Sequence, residues 1–512
     1  MRILRPSFLL PGLLAIAVVA CGDESDSAFA DRYAGDPSYG PSYGQRAASP
    51  GGADVSGETY GKLVENDWVE TEKEPVSTFG VDVDTGSYSL MRRDIRAGRL
   101  PDVDSVRVEE YLNYFRYDYA PPQDDKPFAV HLDGAPSAFG QGYHLVRIGL
   151  QGRAIDPAQR KPANLVFLVD VSGSMDEPTK LPLVKTMLKS LVGKLTDADT
   201  LSIVTYAGYE SVLLEPARVT DKAKILAAID GLSASGGTNG EGGIRKAYAL
   251  AEQVKLQQQV DSVNRVILCT DGDFNVGLTG SDLVQLIEQE REKGVTLSTF
   301  GFGAGNYNAR DMEALADKGN GNYAYIDAPE EIERFVQKRL VSTLQVIAKD
   351  AKIQIELDPT FVQRYRLIGY ENRVLNNEDF ADDKKDSGEL GAGHSVTAFY
   401  EVELTKAAKD GQVATANVAN VKLRWKQPDG DVSTEASVPF PASRLAASFD
   451  AAPADFRFAA ATTEYAEILR HSKHSEGARF DDVITILSAT AKEDADRHQL
   501  IDLVKQAKGL WK

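Results

Sequence analysis

The sequence predicts an α/β protein in which a doubly wound, mostly parallel sheet is flanked by, or inserted into, a β-sandwich-like domain, with helices at the C-terminal end. Residues 163–345 alternate apolar strands with amphipathic helices, which is the pattern of a parallel sheet covered on both faces. Residues 350–445 alternate apolar and polar positions, as half-buried strands do. Residues 450–512 contain apolar residues at helical spacing.

The first 21 residues are expected to be a lipoprotein signal peptide and no part of the fold. Two arginines precede an apolar run at residues 8–19, which is too short to span a membrane. The run closes with VVAC, which resembles the lipobox of bacterial lipoproteins and implies that Cys21 is acylated and anchors the chain to a membrane. By resemblance to enterobacterial sorting rules, Gly22 in place of an aspartate removes the usual inner-membrane retention signal, which favours the outer membrane of the cell envelope, with the protein periplasmic or surface-exposed. An ordinary secretory signal that happens to contain a cysteine is the alternative.

Two segments separate the signal from the parallel sheet. Residues 22–60 are rich in Gly, Ser, Pro, Asp and Tyr, and we predict that they form a flexible linker. Residues 61–160 combine strand-like and helix-like patterns, which indicates an N-terminal α+β region. Because strand patterns occur on both sides of residues 163–345, these residues can form an insertion within one β domain.

The predicted elements of residues 163–345 follow one another regularly. The run LVFLVD is an unbroken apolar strand, and the next helix, LVKTMLKSLVGKL, has its apolar residues on one stripe. Further strands are predicted at TLSIVTYA, SVLLEPA, RVILCT, VTLSTFGFG and NYAYID, and further helices at AKILAAIDGL, IRKAYALAEQV, SDLVQLIEQEREKG, ARDMEALADKG and EEIERFVQKRLVSTL. Cys269, inside RVILC, is expected to be a small buried core residue.

Three loops at predicted strand ends carry oxygen-bearing side chains. Asp170, Ser172 and Ser174 occupy alternate positions directly after the first strand, Thr238 lies in the glycine-rich loop SGGTNGEGG, and Asp271 follows a later strand. In a doubly wound sheet, ligands bind beyond the carboxyl ends of the strands, where the strand order reverses. Oxygen ligands suit a hard cation such as magnesium. The loops therefore predict a divalent-cation site.

The same loops resemble the metal-ion-dependent adhesion site of the von Willebrand factor type A domain. The segment that carries the resemblance, residues 163–345, is called the A domain below. The resemblance covers residues 163–345 and implies a six-stranded sheet in the order 3-2-1-4-5-6. It also implies that Ser172 and Ser174, and sometimes Thr238, coordinate the metal directly, while Asp170 and Asp271 act largely through water. Mg²⁺ is the expected ion, with Mn²⁺ and Ca²⁺ as alternatives.

The resemblance implies binding without catalysis. A first shell of neutral hydroxyls leaves the dication under-neutralised, so an Asp or Glu of a protein partner completes the metal shell. The segment around FGVDVDTGSYSLMRR, the central A domain and the downstream stretch YRLIGYENRVL together resemble a family of bacterial A-domain lipoproteins, whose flanking domains have no activity that can be carried over. We therefore expect a cell-envelope lipoprotein that binds another protein. A structural or assembly factor of the envelope, with a structural metal site, is the alternative.

Other classes of function have less support. The stretch VDVDTGSYSLM resembles the catalytic motif of aspartic-type proteases, with Asp84 as the catalytic residue, but the required second copy is missing. The chain has 76 Asp and Glu against 57 Lys and Arg, and a net charge of −19 argues against a nucleic-acid partner. No phosphate-binding loop motif occurs, so no nucleotide site is predicted.

Overall fold

The computed structural model describes residues 57–511 apart from positions 141, 259–260, 273–280, 306, 386, 414–415, 476 and 478. The predicted signal peptide, Cys21 and most of the 22–60 linker lie outside the described residues. Within the part of the chain that is described, no helix has both the length and the apolar character that crossing a membrane requires.

The segment before the A domain contributes strands and two buried helices. Its elements are β1 (Val69–Glu70), β2 (Val76–Gly80), α1 (Gly86–Arg96), α2 (Val108–Tyr114), β3 (Phe128–Pro136) and β4 (Tyr143–Gly152). Glycine is required at the start of α1, because a Cβ on Gly86 would lie 2.3 Å from the ring of Tyr323. The helix thus packs directly against the A domain.

The A-domain segment alternates strands and helices as predicted. Its elements are β5 (Ala163–Asp170), α3 (Leu181–Lys194), β6 (Thr200–Tyr206), β7 (Glu210–Arg218), α4 (Lys222–Asp230), α5 (Gly240–Gln258), β8 (Val263–Thr270), α6 (Ser281–Glu292), β9 (Thr296–Phe302), α7 (Ala309–Lys318), β10 (Tyr323–Ile326), α8 (Pro329–Arg334) and α9 (Leu340–Leu344). A π-helical turn, Phe335–Arg339, joins α8 to α9.

Six described strands form the sheet of the A domain, in the order β10-β9-β8-β5-β6-β7. Neighbouring strands are parallel except β6 and β7. Numbered from β5, this is the order 3-2-1-4-5-6, so the predicted doubly wound fold is confirmed. Helices α3, α4, α8 and α9 cover one face, and α5, α6 and α7 cover the other. Cys269 is fully buried in β8, as predicted.

The chain after the A domain returns to strands and ends in helices. Its elements are β11 (Val346–Leu357), β12 (Val362–Ile368), β13 (Val374–Leu375), β14 (Leu390–Gly391), β15 (Ser395–Leu404), α10 (Lys406–Lys409), β16 (Asn417–Lys426), β17 (Ser433–Pro441), α11 (Ala454–Leu469), α12 (Phe480–Thr490) and α13 (Ala495–Leu510).

Strands from both sides of the A domain share two antiparallel sheets. One sheet has the order β1-β12-β15-β4-β3 and the other β13-β2-β11-β16-β17, with β14 also paired to β11. Apolar side chains from both sheets form one core, as in a β-sandwich. Of the two arrangements that the sequence left open, the structure therefore shows insertion: residues 61–160 and 350–445 build one sandwich that contains the A domain as an insert.

The C-terminal helices form a separate core with α1 and α2. In α13, the apolar residues Leu500, Leu503, Val504 and Ala507 are buried on one face, as their spacing predicts. The helices therefore cover the N-terminal helices rather than forming an independent domain.

Buried ion pairs join the A domain to the rest of the molecule. Arg92 of α1 donates to Asp327 and to Glu331, and it also donates to the hydroxyl of Tyr114 at 2.6 Å. Since Asp327 and Glu331 belong to the A domain, the guanidinium of Arg92 links the inserted domain to its host.

A second link is a group of buried carboxylates, here called the acidic cluster: Asp82, Asp84, Glu109, Glu110 and Glu313. Two arginines lie among them. The guanidinium of Arg107 is 2.9 Å from Glu313, and that of Arg373 is 3.5 Å from Asp82 and 3.7 Å from Asp84.

Candidate functional site

The first loop of the predicted site begins where β5 ends. Asp170 is fully buried and its carboxylate accepts three hydrogen bonds: from the backbone N–H of Ser172 at 2.9 Å, from the hydroxyl of Thr270 at 2.9 Å, and from the hydroxyl of Tyr206 at 3.2 Å. Tyr206 ends β6 and Thr270 ends β8, the two strands that flank β5. Burial raises the pKa of Asp170, and its hydrogen bonds to Ser172 and Thr270 oppose that rise. Neutral donors therefore hold the carboxylate in place.

The two serine hydroxyls of this loop lie side by side. Oγ of Ser172 and Oγ of Ser174 are 3.0 Å apart. Ser172 is buried and Ser174 is exposed, so the pair faces the surface on one side. Two ligands at adjacent corners of an octahedron, each about 2.1 Å from Mg²⁺, lie about 3.0 Å apart. The hydroxyl pair therefore has the spacing of two neighbouring magnesium ligands.

The glycine-rich loop lies against the first loop. The backbone N–H of Ser235 donates to the carbonyl of Val171 at 2.7 Å, and that of Gly173 donates to the carbonyl of Gly236 at 3.0 Å. Gly236 has φ +83°, a conformation that glycine adopts without strain. These bonds hold the loop against the first loop at Ser235 and Gly236, and Thr238, two residues further on, is half-buried.

Asp271, directly after β8, is fully buried and carries an ion pair that sequence reasoning missed. Nζ of Lys180 lies 3.2 Å from Oδ2 of Asp271 and donates to the backbone carbonyl of Ser174 at 3.0 Å. The stem of Lys180 lies over Gly303, where a Cβ would be 2.4 Å from its Cε. Lys180 follows a polar, exposed stretch, so its local sequence gave no signal that it would be buried. Tyr206 was also missed, although it ends a predicted strand.

The donor set fits a hard dication. The three loops supply two carboxylates and the hydroxyls of two serines and a threonine, all oxygen ligands. Nowhere in the described ranges do three or more His, Cys, Asp or Glu side chains lie in an arrangement that could hold a metal. Any cation held here would therefore depend largely on hydroxyls, as the resemblance implies.

Asp84, the residue of the protease alternative, lies elsewhere. Its carboxylate is buried in the acidic cluster and accepts the backbone N–H of Tyr323 at 3.0 Å. Burial and the neighbouring Asp82 raise its pKa well above the usual range. The motif that contains Asp84 thus connects the sandwich to the last strand of the A domain.

Three family profiles match the sequence. The von Willebrand factor type A domain profile matches residues 164–338, a von Willebrand factor profile matches residues 54–147, and the profile described as uncharacterized protein YfbK, C-terminal, matches residues 342–510. Uncharacterized protein YfbK of Escherichia coli (strain K12) is 37% identical over 486 residues, 90% of this chain and 82% of YfbK. The chain belongs to the YfbK family.

More distant similarities of this YfbK-family chain cover less of it. Uncharacterized protein sll0103 of Synechocystis is 30% identical over 226 residues, which are 44% of this chain and 51% of that protein. A solved von Willebrand factor type A structure from Catenulispora acidiphila covers 77% of this chain and 89% of its own, with 19% identity and a TM-score of 0.43. The A-domain profile spans all five predicted metal residues, and it indicates a role in protein–protein interaction or adhesion for this part of the YfbK-family chain.

Proposed function

We propose that this protein binds a protein partner through a divalent cation, most favourably Mg²⁺, held by Asp170, Ser172, Ser174, Thr238 and Asp271. The observation that carries the proposal is the pair of serine hydroxyls, 3.0 Å apart, at the exposed carboxyl edge of the sheet. When bound, the cation supplies an electropositive position that a carboxylate of the partner can occupy.

Each residue has a separate part in this proposal. Ser172 and Ser174 provide direct oxygens, and Thr238 provides a third that can change between direct and water-mediated contact. Asp170, whose oxygens accept from Ser172, Thr270 and Tyr206, keeps the loop in place and contributes negative charge behind the hydroxyls. Because none of these roles transforms a substrate, we propose binding and no turnover.

Metal titration by calorimetry tests the site itself. Wild-type protein should bind Mg²⁺ or Mn²⁺ with one saturable site, and Asp170→Ala should abolish that binding, because charge dominates attraction to a hard dication. Asp176→Ala is the matched control, since Asp176 is an exposed aspartate of the same loop that we do not assign to the metal. Equal loss in both variants, or undiminished binding in Asp170→Ala, would contradict the assignment.

Crosslinking on cells tests the partner. The wild-type protein in Mg²⁺ should capture a protein that is lost with chelator, with Asp170→Ala and with Thr238→Ala. Capture that survives all three conditions would show that binding does not use this site.

Chelation also separates binding from the assembly-factor alternative. The ammonium of Lys180 already faces Asp271, and the sheet has its own apolar core. We therefore expect only a modest fall in the thermal midpoint in chelator, of the size that mass action gives for a weakly bound ion. Unfolding in chelator would indicate a structural metal instead.

We further propose that the protein is a lipoprotein of the cell envelope, favouring the outer membrane, because VVAC closes a basic and then apolar start. Metabolic labelling with a clickable fatty acid should tag wild-type protein and leave Cys21→Ser untagged. Equal labelling of both proteins would exclude acylation at Cys21.

A further inference from the structure

A cavity of about 50 Å³ lies where the A domain, the sandwich and the C-terminal helices meet. It is lined by Arg116 after α2, by Arg334, Lys338 and Arg339 around the π-helical turn, and by His394 in the turn between β14 and β15. Asp494 and Asp496, at the start of α13, line it as well. A cavity of this size has room for a few water molecules or one small ion.

The positive charges of this cavity exceed the negative ones. Lys338 pairs with Asp496 at 2.6 Å, and Arg334 pairs with Glu331 at 3.1 Å. Arg116 and Arg339 have no carboxylate within salt-bridge distance among the described residues.

These two guanidiniums are bound by neutral acceptors instead. Arg339 donates to the backbone carbonyls of Val83 and Asn113 and to the hydroxyl of Thr85, and Arg116 donates to the carbonyl of Lys338. Loss of hydration lowers the pKa of Arg339 to about 9, and the neighbouring Arg334 adds to the effect. The cavity therefore holds two guanidiniums that make no direct salt bridge to a described carboxylate, while Asp496 acts on Arg116, and Glu331 and Asp84 act on Arg339, at longer range.

His394 adds unpartnered polar atoms to the same cavity. Its side chain is about nine-tenths buried, and neither ring nitrogen has a hydrogen-bond partner within the described part of the chain. Burial, together with Arg339, Arg116 and Arg265, lowers the pKa of His394 to about 3. The ring is thus neutral at neutral pH and has one N–H to donate and one nitrogen to accept. Buried polar groups normally have partners, so the two ring nitrogens mark a position at which a ligand with its own polar atoms can bind.

We propose that this cavity binds a small oxyanion, of the phosphate or carboxylate class, between Arg116, Arg339 and His394. Both arginines present N–H groups suited to oxyanion oxygens, and His394 can donate a further hydrogen bond. The anion contacts the sandwich through His394 and the end of the A domain through Arg339. Its binding therefore fastens the inserted domain to its host, at a place separate from the cation loops.

Titration of the full chain tests this proposal. Sodium phosphate and sodium acetate are compared with sodium chloride at matched ionic strength, in chelator so that no divalent cation takes part. Calorimetry should show one saturable site for phosphate or acetate, and the preferred anion distinguishes a tetrahedral from a planar ligand. The thermal midpoint should rise with that anion and stay flat with chloride.

Two variants locate the site. Arg116→Gln should weaken anion affinity by at least about tenfold, the factor expected for one charge-assisted hydrogen bond. The variant should fold, because Arg116 is exposed on one side. Lys505→Gln is the control, since it removes a positive charge from an exposed position on α13. The NMR signal of His394 is identified by its absence from the spectrum of His394→Gln. In the wild-type protein, that signal should shift as the anion is added, with the same midpoint as the calorimetric titration.

Anion binding should be independent of the cation site. Asp170→Ala should bind the anion as the wild type does. Absence of saturation with both anions, an equal response to chloride, or equal weakening by Arg116→Gln and Lys505→Gln would overturn the proposal.

Discussion

Two regions of the molecule bury carboxylates, and they compensate the negative charge differently. In the acidic cluster, Arg107 and Arg373 lie among five carboxylates, and burial raises the pKa of Glu110 and of Glu313. In the cation loops, the carboxylate of Asp170 is surrounded by a backbone N–H and two hydroxyls, and Asp271 faces the ammonium of Lys180. The cluster is closed by two arginines, whereas the loops contain one described cation and present the exposed Ser174 beside the buried Ser172.

This difference shows why the number of acidic residues is a poor guide to a cation site. A count of buried carboxylates alone favours the acidic cluster, although arginines and protons supply the positive charge there and its described side chains are not arranged to hold a metal. The loops contain fewer carboxylates but have access to solvent and hydroxyls at ligand spacing. The cluster is therefore expected to control stability, and the loops to control binding.

The largest effect is expected from removing an arginine of the cluster. Arg373→Met leaves Asp82, Asp84 and Asp317 without this cation, and breaking a buried ion pair costs about 3–5 kcal/mol of unfolding free energy. Denaturant titration measures this loss, and calorimetry should show unchanged Mg²⁺ affinity. Arg479→Met, at an exposed pair with Asp482, should cost less than about 1 kcal/mol. If Arg373→Met weakens Mg²⁺ instead of stability, the two regions are not separate.

A smaller effect concerns pH. Burial, then the neighbouring Glu371 and Asp82, raise the pKa of Glu109 from about 4.5 to about 7. Because the folded state holds this proton more tightly than the unfolded chain does, the contribution to stability is fully present below about pH 4.5 and is lost as pH rises through about 7. The total is of order 3 kcal/mol.

Glu109→Gln should remove that pH dependence. The amide can still accept the backbone N–H of Tyr370, which Glu109 accepts at 2.9 Å. Unfolding midpoints measured from pH 4 to pH 8 should fall less steeply in Glu109→Gln than in wild type, while the exposed control Glu435→Gln keeps the wild-type slope. Parallel curves for Glu109→Gln and wild type would mean that Glu109 has the same pKa in the folded and the unfolded chain.

The third prediction concerns Lys180, the cation within the loops. Its ammonium lies 3.2 Å from Asp271 and would repel a dication nearby, so Lys180→Met should raise Mg²⁺ affinity by about tenfold. In chelator, Lys180→Met has neither the ammonium of Lys180 nor a metal beside Asp271. The variant should therefore be less stable in chelator than in Mg²⁺. Lys194→Met is the control, since Lys194 is exposed at the end of α3, the helix that Lys180 precedes. Unchanged or weaker Mg²⁺ binding in Lys180→Met would remove Lys180 from the electrostatics of the site.

The sequence was sufficient for the parts of the fold that depend on local periodicity. The apolar run ending at Asp170 and the stripe of α3 fix a buried strand and its covering helix, and the predicted order of the sheet followed from the resemblance. The choice between flanking and insertion was not accessible, because the pairing of β2 with β11 joins residues more than 270 positions apart. No local pattern encodes such a contact.

The sequence also predicted the candidate site only in part. Asp170, Ser172, Ser174 and Asp271 follow from motifs at strand ends, since parallel strands bring their carboxyl ends to one edge. The loop of Thr238 was also expected at a strand end, but it joins α4 to α5, and only the resemblance indicated this residue. Lys180 and Tyr206 were not predicted, because each reaches the site only through tertiary packing: Lys180 crosses over Gly303, and Tyr206 meets Asp170 across neighbouring strands. A buried lysine and a surface lysine look alike in a sequence.

The smallest effect is expected at Thr238. The loop that carries it is held by backbone hydrogen bonds from Ser235 to Val171 and from Gly173 to Gly236, so Thr238→Ala should not move the loop. Loss of this one neutral hydroxyl should weaken Mg²⁺ affinity by less than about fivefold. A water molecule can take its place at the metal, and the site retains its carboxylates. Ser172→Ala should weaken Mg²⁺ by at least about tenfold, since its buried hydroxyl lies 3.0 Å from that of Ser174 and water has less access there. Calorimetry on the two variants side by side gives the ratio. If Thr238→Ala costs as much as Ser172→Ala, Thr238 is a permanent direct ligand, and the proposed difference between the serines and the threonine is wrong.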